Sequence, residues 1–192
     1  MFRLFFALPL GADAERLLYK GVTQYRAYGK MPVRWVGKNS LHITIHFLGD
    51  VEETRVEKLR EILLSVTSAY EAPRISFTGA GFFPKMENPR VFWMGVKDQG
   101  VLEEFTSQSG KQLLSEGFHI ERGRFSPHVT LCRFSDRGES VVDPSRIKEM
   151  VNYFNTIPLP PFTGSEVNLY QSTLTGTGAV YSVLESGKFG KR

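Results

Sequence analysis

Four residues in two matching places carry the clearest chemistry in this sequence. His42 and Thr44 lie in Leu41-His42-Ile43-Thr44-Ile45-His46-Phe47-Leu48-Gly49-Asp50, and His128 and Thr130 lie in Pro127-His128-Val129-Thr130-Leu131-Cys132-Arg133-Phe134-Ser135-Asp136. Both copies read His-apolar-Thr-apolar, both reach an Asp eight residues after the His, and the histidines are 86 residues apart (128 − 42). Ser40 and Ser126 precede them by two residues, Gly37 and Gly123 by five. In a strand, side chains at i and i+2 share a face, so each copy sets an imidazole beside a hydroxyl, about 6–7 Å apart along the backbone. Ile43 and Val129 are then expected to point the other way, into a core. Imidazole titrates near neutral pH. Two such strands on one cleft would suit a phosphate: one His takes a proton, the other gives one, and the hydroxyls bind the oxygens.

The elements that must position these residues are themselves duplicated. Phe2–Leu8 reads as an aromatic-rich strand, and Ala12–Tyr28 has helical spacing with Leu17, Leu18, Val22 and Tyr25 on one face. After a short extended piece at Pro32–Val36, the first motif strand spans Leu41–Leu48, with Gly49-Asp50 expected to stop it. Glu52–Tyr70 is a second amphipathic helix, acidic in its first turn. Ile75–Phe83 is a strand, Pro84–Arg90 a turn, Val91–Val96 a strand, Val101–Glu116 a helix closed by Gly117, and Phe118–Arg122 a short extended piece. The second motif strand, Ser126–Phe134, leads through a polar loop at Arg137–Val142 to a short helix at Pro144–Phe154. Phe162–Leu174 and Ala179–Leu184 form a hairpin around Thr175–Gly178, and Gly187–Arg192 reads as a frayed basic end. Phe77-Thr78-Gly79 recurs as Phe162-Thr163-Gly164, nearly at the histidine offset. The order predicts an α+β fold of two pseudo-symmetric lobes. Each has a mostly antiparallel sheet and outer helices around a central cleft. The repeats run at roughly 1–85 and 90–185 of a single 1–192 domain, and strand exchange between them is an open alternative.

The chain has 192 residues, 41% hydrophobic and 23% charged, ordinary for a globular domain that buries a real core. Its net charge of +4 and pI of about 9.2 suit an anionic substrate without the dense basic tail of a structural nucleic-acid binder. The lone Cys132 cannot form an internal disulfide, no apolar run approaches the roughly 18 residues of a membrane span, and Phe2–Leu10 lacks a signal-peptide cleavage site. A cytoplasmic location without membrane association is the expectation.

The paired motifs HITIHFLG and PHVTLCRF resemble the two-histidine (2H) phosphoesterase superfamily, in particular its bacterial and archaeal RNA 2′,3′-cyclic phosphodiesterase branch, also called 2′-5′ RNA ligases. The segments FRLFFALPL, RWVGKNSLHIT and FTGAGFFPKMENPRVFW extend the resemblance over nearly the whole chain. It implies that RNA 2′,3′-cyclic phosphate ends, or cyclic-phosphate nucleotides, are hydrolysed to 2′-phosphates without a metal or other cofactor. It implies that His42 is the proton donor to the leaving 3′ oxygen and His128 the proton acceptor that activates water, with Thr44 and Thr130 on the phosphate. Sequence symmetry alone does not assign these two roles. The reverse, ligating reaction uses the same residues. A non-catalytic RNA-binding module and a cyclic-nucleotide or ADP-ribose cyclic-phosphate phosphodiesterase are rivals to this function. Nothing in the sequence demands more than a monomer.

Around the motifs, His46 shares the strand face of His42 if β alternation holds and is a possible cleft residue. Arg133 would point away from His128 in a regular strand and would reach the cleft only through a bulge. His46 and His42 stand about 13 Å apart along a strand, too far to share a metal ion. Cys132, in the place equivalent to His46, reads as a small buried filler, and His119 as structural. Lys38, Lys85, Arg90 and Arg124 read as solvated charges, with RNA-backbone contact as the alternative. Phe83, Trp93 and Phe125 read as core or as base-stacking surfaces. Thr175–Gly178 lacks the Lys and following helix of a phosphate loop.

Overall fold

The structure, a computed structural model, describes residues 1–28, 31–121, 123–134, 143–176 and 178–190. Nine strands and four α-helices occur among them: β1 (Phe2–Pro9), α1 (Ala12–Tyr28), β2 (Val33–Trp35), β3 (His42–Val51), α2 (Val56–Ser68), β4 (Arg74–Lys85), β5 (Asn88–Lys97), α3 (Val101–Ser115), β6 (His128–Phe134), α4 (Pro144–Asn155), β7 (Phe162–Thr163), β8 (Glu166–Thr175) and β9 (Gly178–Lys188). All strand pairings are antiparallel, in the order β7-β4-β5-β6-β3-β1-β8-β9, with β2 also on β6. The sheet curls into a half-barrel, as the expected mixed fold of two similar parts requires.

The pairing pattern crosses the sequence repeat. β4, which closes the first repeat, pairs with β5, which opens the second; β8 pairs with β1. The helices follow suit. α1 packs on α4, where Tyr25 meets Tyr153 and Phe154, and the Gly21 site lies against Ile157 and Phe154. α2 and α3 pack together, α2 covering β8 and β9 and α3 reaching β3. The apolar positions that make each helix amphipathic are its buried ones: Ala14, Leu18, Val22 and Tyr25 in α1, and Leu59, Ile62, Leu63 and Val66 in α2. On the sheet side the core is filled by Leu4, Phe6 and Leu8 of β1, Ile43 of β3, Phe92 and Met94 of β5, and Val129 and Leu131 of β6.

Several boundaries differ from the sequence reading. Gly49-Asp50 does not stop β3: Gly49 takes φ +69°, which glycine adopts without steric cost, and the strand continues to Val51 past a register shift. A 3₁₀ turn at Glu53–Arg55 precedes α2, so the helix begins later than Glu52. Pro84–Arg90 contains strand at both ends, because β4 and β5 continue their ladder to Lys85↔Asn88. Phe118–Glu121 forms no strand. The long Phe162–Leu174 stretch is broken at Gly164-Ser165, where a Cβ on Gly164 would stand 2.7 Å from Leu8 Cδ1. β9 continues through the expected frayed end to Lys188, because Gly187 packs on Thr67 of α2 and Phe189 is buried beside Phe105. Ser135, Asp136, the Arg137–Val142 loop, Arg122, Thr177 and the last two residues lie outside the described residues.

Candidate active site

The two motif strands are neighbours in the sheet, and their single paired position is Ile43↔Val129, the residue between His and Thr in each motif. Antiparallel register about that pair sets Thr130 opposite His42 and His128 opposite Thr44. All four side chains therefore share the face opposite the buried Ile43 and Val129. His42 and His128 become diagonal cross-strand neighbours, roughly 7–8 Å apart at the backbone, a span that one phosphate can bridge through the imidazole tips. The join between the two halves of the sheet is thus also where the chemistry-bearing residues meet.

Each imidazole is oriented by the serine two residues before it. His128 Nδ1 lies 2.7 Å from the Ser126 carbonyl oxygen, and because a carbonyl only accepts, Nδ1 carries the proton and Nε2 is left to the open face. The Ser40 backbone stands in the corresponding place beside His42 and favours its protonated form in the same way. The matched Ser40 and Ser126 spacing is visible in the sequence; its use as an imidazole anchor is not.

Aromatic rings wall both histidines. Phe5, Tyr170 and Tyr181 lie 5.0, 6.1 and 5.4 Å from His42, centroid to centroid. Phe83 and Trp93 lie 4.9 and 6.3 Å from His128. The Trp93 indole lies across glycine backbone: a Cβ on Gly81 would stand 2.6 Å from it, and one on Gly95 3.1 Å. Tyr170 Oη accepts a 3.1 Å hydrogen bond from Asn168 Nδ2, fixing the ring against Phe5. Tyr170 and Tyr181 carry no local signal in the sequence, because their proximity to His42 depends on β8 returning to β1 from 165 residues away (170 − 5, as Phe5↔Tyr170). Of the three aromatics read as stacking surfaces or core, Phe83 and Trp93 stand at His128, whereas Phe125 packs against the core.

These surroundings disfavour the protonated form of both imidazoles. Burial pushes His42 down to about 4. The Ser40 backbone opposes this, and the charges of His128 and Arg133 add to it. Burial also lowers His128, opposed by the Ser126 carbonyl and reinforced by Arg133.

The flanking residues are settled by a bulge that both motif strands carry. In β3, Thr44 pairs with Ala7 and His46 with Phe6, leaving Ile45 as the extra residue; in β6, Thr130 pairs with Trp93 and Cys132 with Phe92, leaving Leu131 extra. The extra residue reverses the alternation beyond it. His46 is therefore not a cleft residue: it turns to the helix side, 7% exposed, with Nε2 3.1 Å from the Thr106 carbonyl oxygen and 2.9 Å from Ser109 Oγ of α3. Cys132 turns the same way, fully buried, its thiol pushed up to about 12 by burial and so unreactive. Arg133 turns back to the histidine face, where its charge acts on both imidazoles. His119, Lys38, Lys85, Arg90 and Arg124 are exposed, with no side-chain partner among the described residues. Among the described residues no three His, Cys, Asp or Glu side chains converge as metal ligands, and no helix is long and apolar enough to cross a membrane.

Two histidines, two threonines and one arginine converging on one open face form the kind of site that the two-histidine phosphoesterase resemblance implied. The comparisons with known proteins bear on the family. Residues 10–93 match the model described as LigT like Phosphoesterase. The RNA 2′,3′-cyclic phosphodiesterase of Archaeoglobus fulgidus is 32% identical, over 95% of this chain and 97% of that protein. Its namesake from Methanocaldococcus jannaschii is 30% identical, over 95% and 98%. A crystal structure from Thermus thermophilus superposes with a TM-score of 0.77 at 25% identity, covering 99% of this chain and 100% of that one. The chain belongs to the LigT-like phosphoesterase family.

Proposed function

We propose that this protein is a hydrolase that opens RNA 2′,3′-cyclic phosphate ends to 2′-phosphates by two-histidine acid–base catalysis, without a metal or other cofactor. The observation that carries the reading is the Ile43↔Val129 pairing, which supports a single face bearing His42, Thr44, His128 and Thr130. The names of the archaeal relatives point to the same substrate class.

In the reaction, neutral His128 takes a proton from water through Nε2 as the water oxygen bonds to phosphorus. The bond from phosphorus to the 3′ oxygen breaks, and His42 delivers a proton to that oxygen. A 2′-phosphate and a free 3′ hydroxyl result, and solvent resets the two imidazoles. The Ser126 bond to Nδ1 leaves the Nε2 lone pair of His128 free to accept the proton, and the assignment of acceptor to His128 and donor to His42 rests on the family resemblance. Burial disfavours the His42 imidazolium, and the incoming anion raises its affinity for the proton, so the acid is loaded with the substrate. Thr44 and Thr130 donate hydroxyl hydrogen bonds to the non-bridging oxygens, and the Arg133 guanidinium offsets the charge that builds there. The protein acts as a monomer in the cytoplasm on this reading.

The test is hydrolysis of a short RNA ending in a 2′,3′-cyclic phosphate in the presence of EDTA, with the product resolved as the 2′- or 3′-phosphate. Full activity giving only the 2′-phosphate is expected. A 3′-phosphate product would keep the histidines but overturn the regiochemistry, and activity lost to EDTA would overturn the metal-free mechanism.

A further inference from the structure

β2 adds one residue to this face that the mechanism above does not use. The β2–β6 register sets Arg34 directly opposite Arg133 and Trp35 opposite Cys132. Trp35 faces the helices, where its ring lies 6.1 Å from Phe154 and 5.9 Å from Tyr25. Arg34, its strand neighbour, therefore faces the open side, as its cross-strand partner Arg133 does. Both arginines are exposed, and neither has an ion-pair or hydrogen-bonding partner among the described residues.

Like charges directly opposite on a ladder repel. Here the repulsion is placed at the end of a line that runs His128, Thr130, Arg133 along β6. The pseudo-equivalent of Arg133 in β3 is Phe47, exposed and 6.1 Å from Phe5, so the two ends of the site differ: one is basic, the other aromatic. A polymer with one anion per residue fits such a polarity, because its reacting phosphate can occupy the histidines while the next phosphate lies over the basic end.

We propose that Arg34, paired across the strands with Arg133, is a second phosphate subsite that holds the internucleotide phosphate next to the reacting end. The protein therefore selects RNA oligonucleotide ends over lone cyclic nucleotides. This rests on the phosphodiesterase reading for its substrate and names which form of it is preferred. Arg133 serves both phosphates, and Arg34 serves the outer one.

The experiment compares a trinucleotide ending in a 2′,3′-cyclic phosphate with adenosine 2′,3′-cyclic monophosphate, for the wild type, Arg34→Met and Arg34→Lys. The expected result is that Arg34→Met raises KM for the trinucleotide about tenfold more than for the mononucleotide, with kcat held and Arg34→Lys recovering part of the loss. The salt dependence of trinucleotide KM should also become shallower, by about 0.7 in logarithmic slope for one phosphate contact on a single strand. Equal losses on both substrates, or no loss on either, would overturn the subsite. Thermal unfolding of Arg34→Met guards against misfolding, and removing one of two facing charges leaves the midpoint unchanged or raised. If the wild type opens neither substrate, the phosphodiesterase reading fails. The subsite is then decided by binding of a fluorescein-labelled trinucleotide 2′-phosphate, where an unchanged affinity and salt slope in Arg34→Met would overturn it.

Discussion

Replacing either His42 or His128 with alanine should lower kcat on a 2′,3′-cyclic-phosphate RNA end by about 10³-fold, and replacing both should cost little more than replacing one. The two imidazoles act as a donor–acceptor unit across one phosphorus, and such units are not additive. RNA affinity should largely survive, because Thr44, Thr130 and Arg133 stay on the same face to hold the phosphate. The pH profiles give the same pair a second signature. Both imidazoles lie below their ordinary value near 6.5 in the free protein. The form with one proton shared between them therefore peaks below pH 6.5, and kcat/KM, which reports the free enzyme, should peak there. Bound phosphate raises both values, so the kcat optimum should lie at higher pH than that of kcat/KM. Single-turnover rates of the variants and full profiles of the wild type are the measurements. Less than tenfold loss in either variant would remove that histidine from the chemistry, and coincident optima would overturn the loading of the acid by the substrate.

The second large effect concerns stability and a histidine outside the site. His46 is buried against α3, and burial lowers it to about 4, with the Thr106 carbonyl opposing. Its pKa is depressed on folding, so the unfolded chain binds the proton more tightly. The stability this contributes is complete above the unfolded value near 6.5 and is lost as pH falls toward 4. Between pH 7 and pH 5 the loss should be about 2 kcal/mol from this residue. His46→Leu removes the titration without orphaning Ser109, whose hydroxyl keeps its 2.7 Å bond to the Phe105 carbonyl. Urea midpoints of wild type and His46→Leu at pH 7, 6 and 5 should therefore diverge, the wild type losing more on acidification. Parallel lines would mean that the imidazole protonates in place.

What a reader of the sequence can see is periodic and local. The His-apolar-Thr pairs stand out because strand geometry gives i and i+2 one face, and their duplication reveals the internal repeat. The four helices follow from their apolar spacing. What stays hidden depends on partners. The extra residues Ile45 and Leu131 exist only relative to Phe6–Ala7 and Phe92–Trp93 on the neighbouring strands, so nothing in the sequence shows that alternation breaks there. That one unseen feature decides three side chains: His46 and Cys132 turn to the helices and Arg133 to the phosphate face. Tyr170, Tyr181 and Arg34 are hidden for a related reason. Each reaches the site through a pairing between elements far apart in the chain; Arg34 opens the segment RWVGKNSLHIT, but its place opposite Arg133 shows only in the β2–β6 register.

The exchange of strands between the repeats also bears on how the chain is made. β1, carrying Leu4, Phe5, Phe6 and Leu8, is made about one helix ahead of its partner β3. Its other edge is closed by β8, where Arg3 meets Ser172, 169 residues on (172 − 3). At about 5–20 residues per second, that edge stays unpaired for roughly 10–30 s of synthesis. An open apolar strand edge is a template for pairing with another chain. The nascent polypeptide therefore carries an aggregation hazard in β1 until β8 has been made.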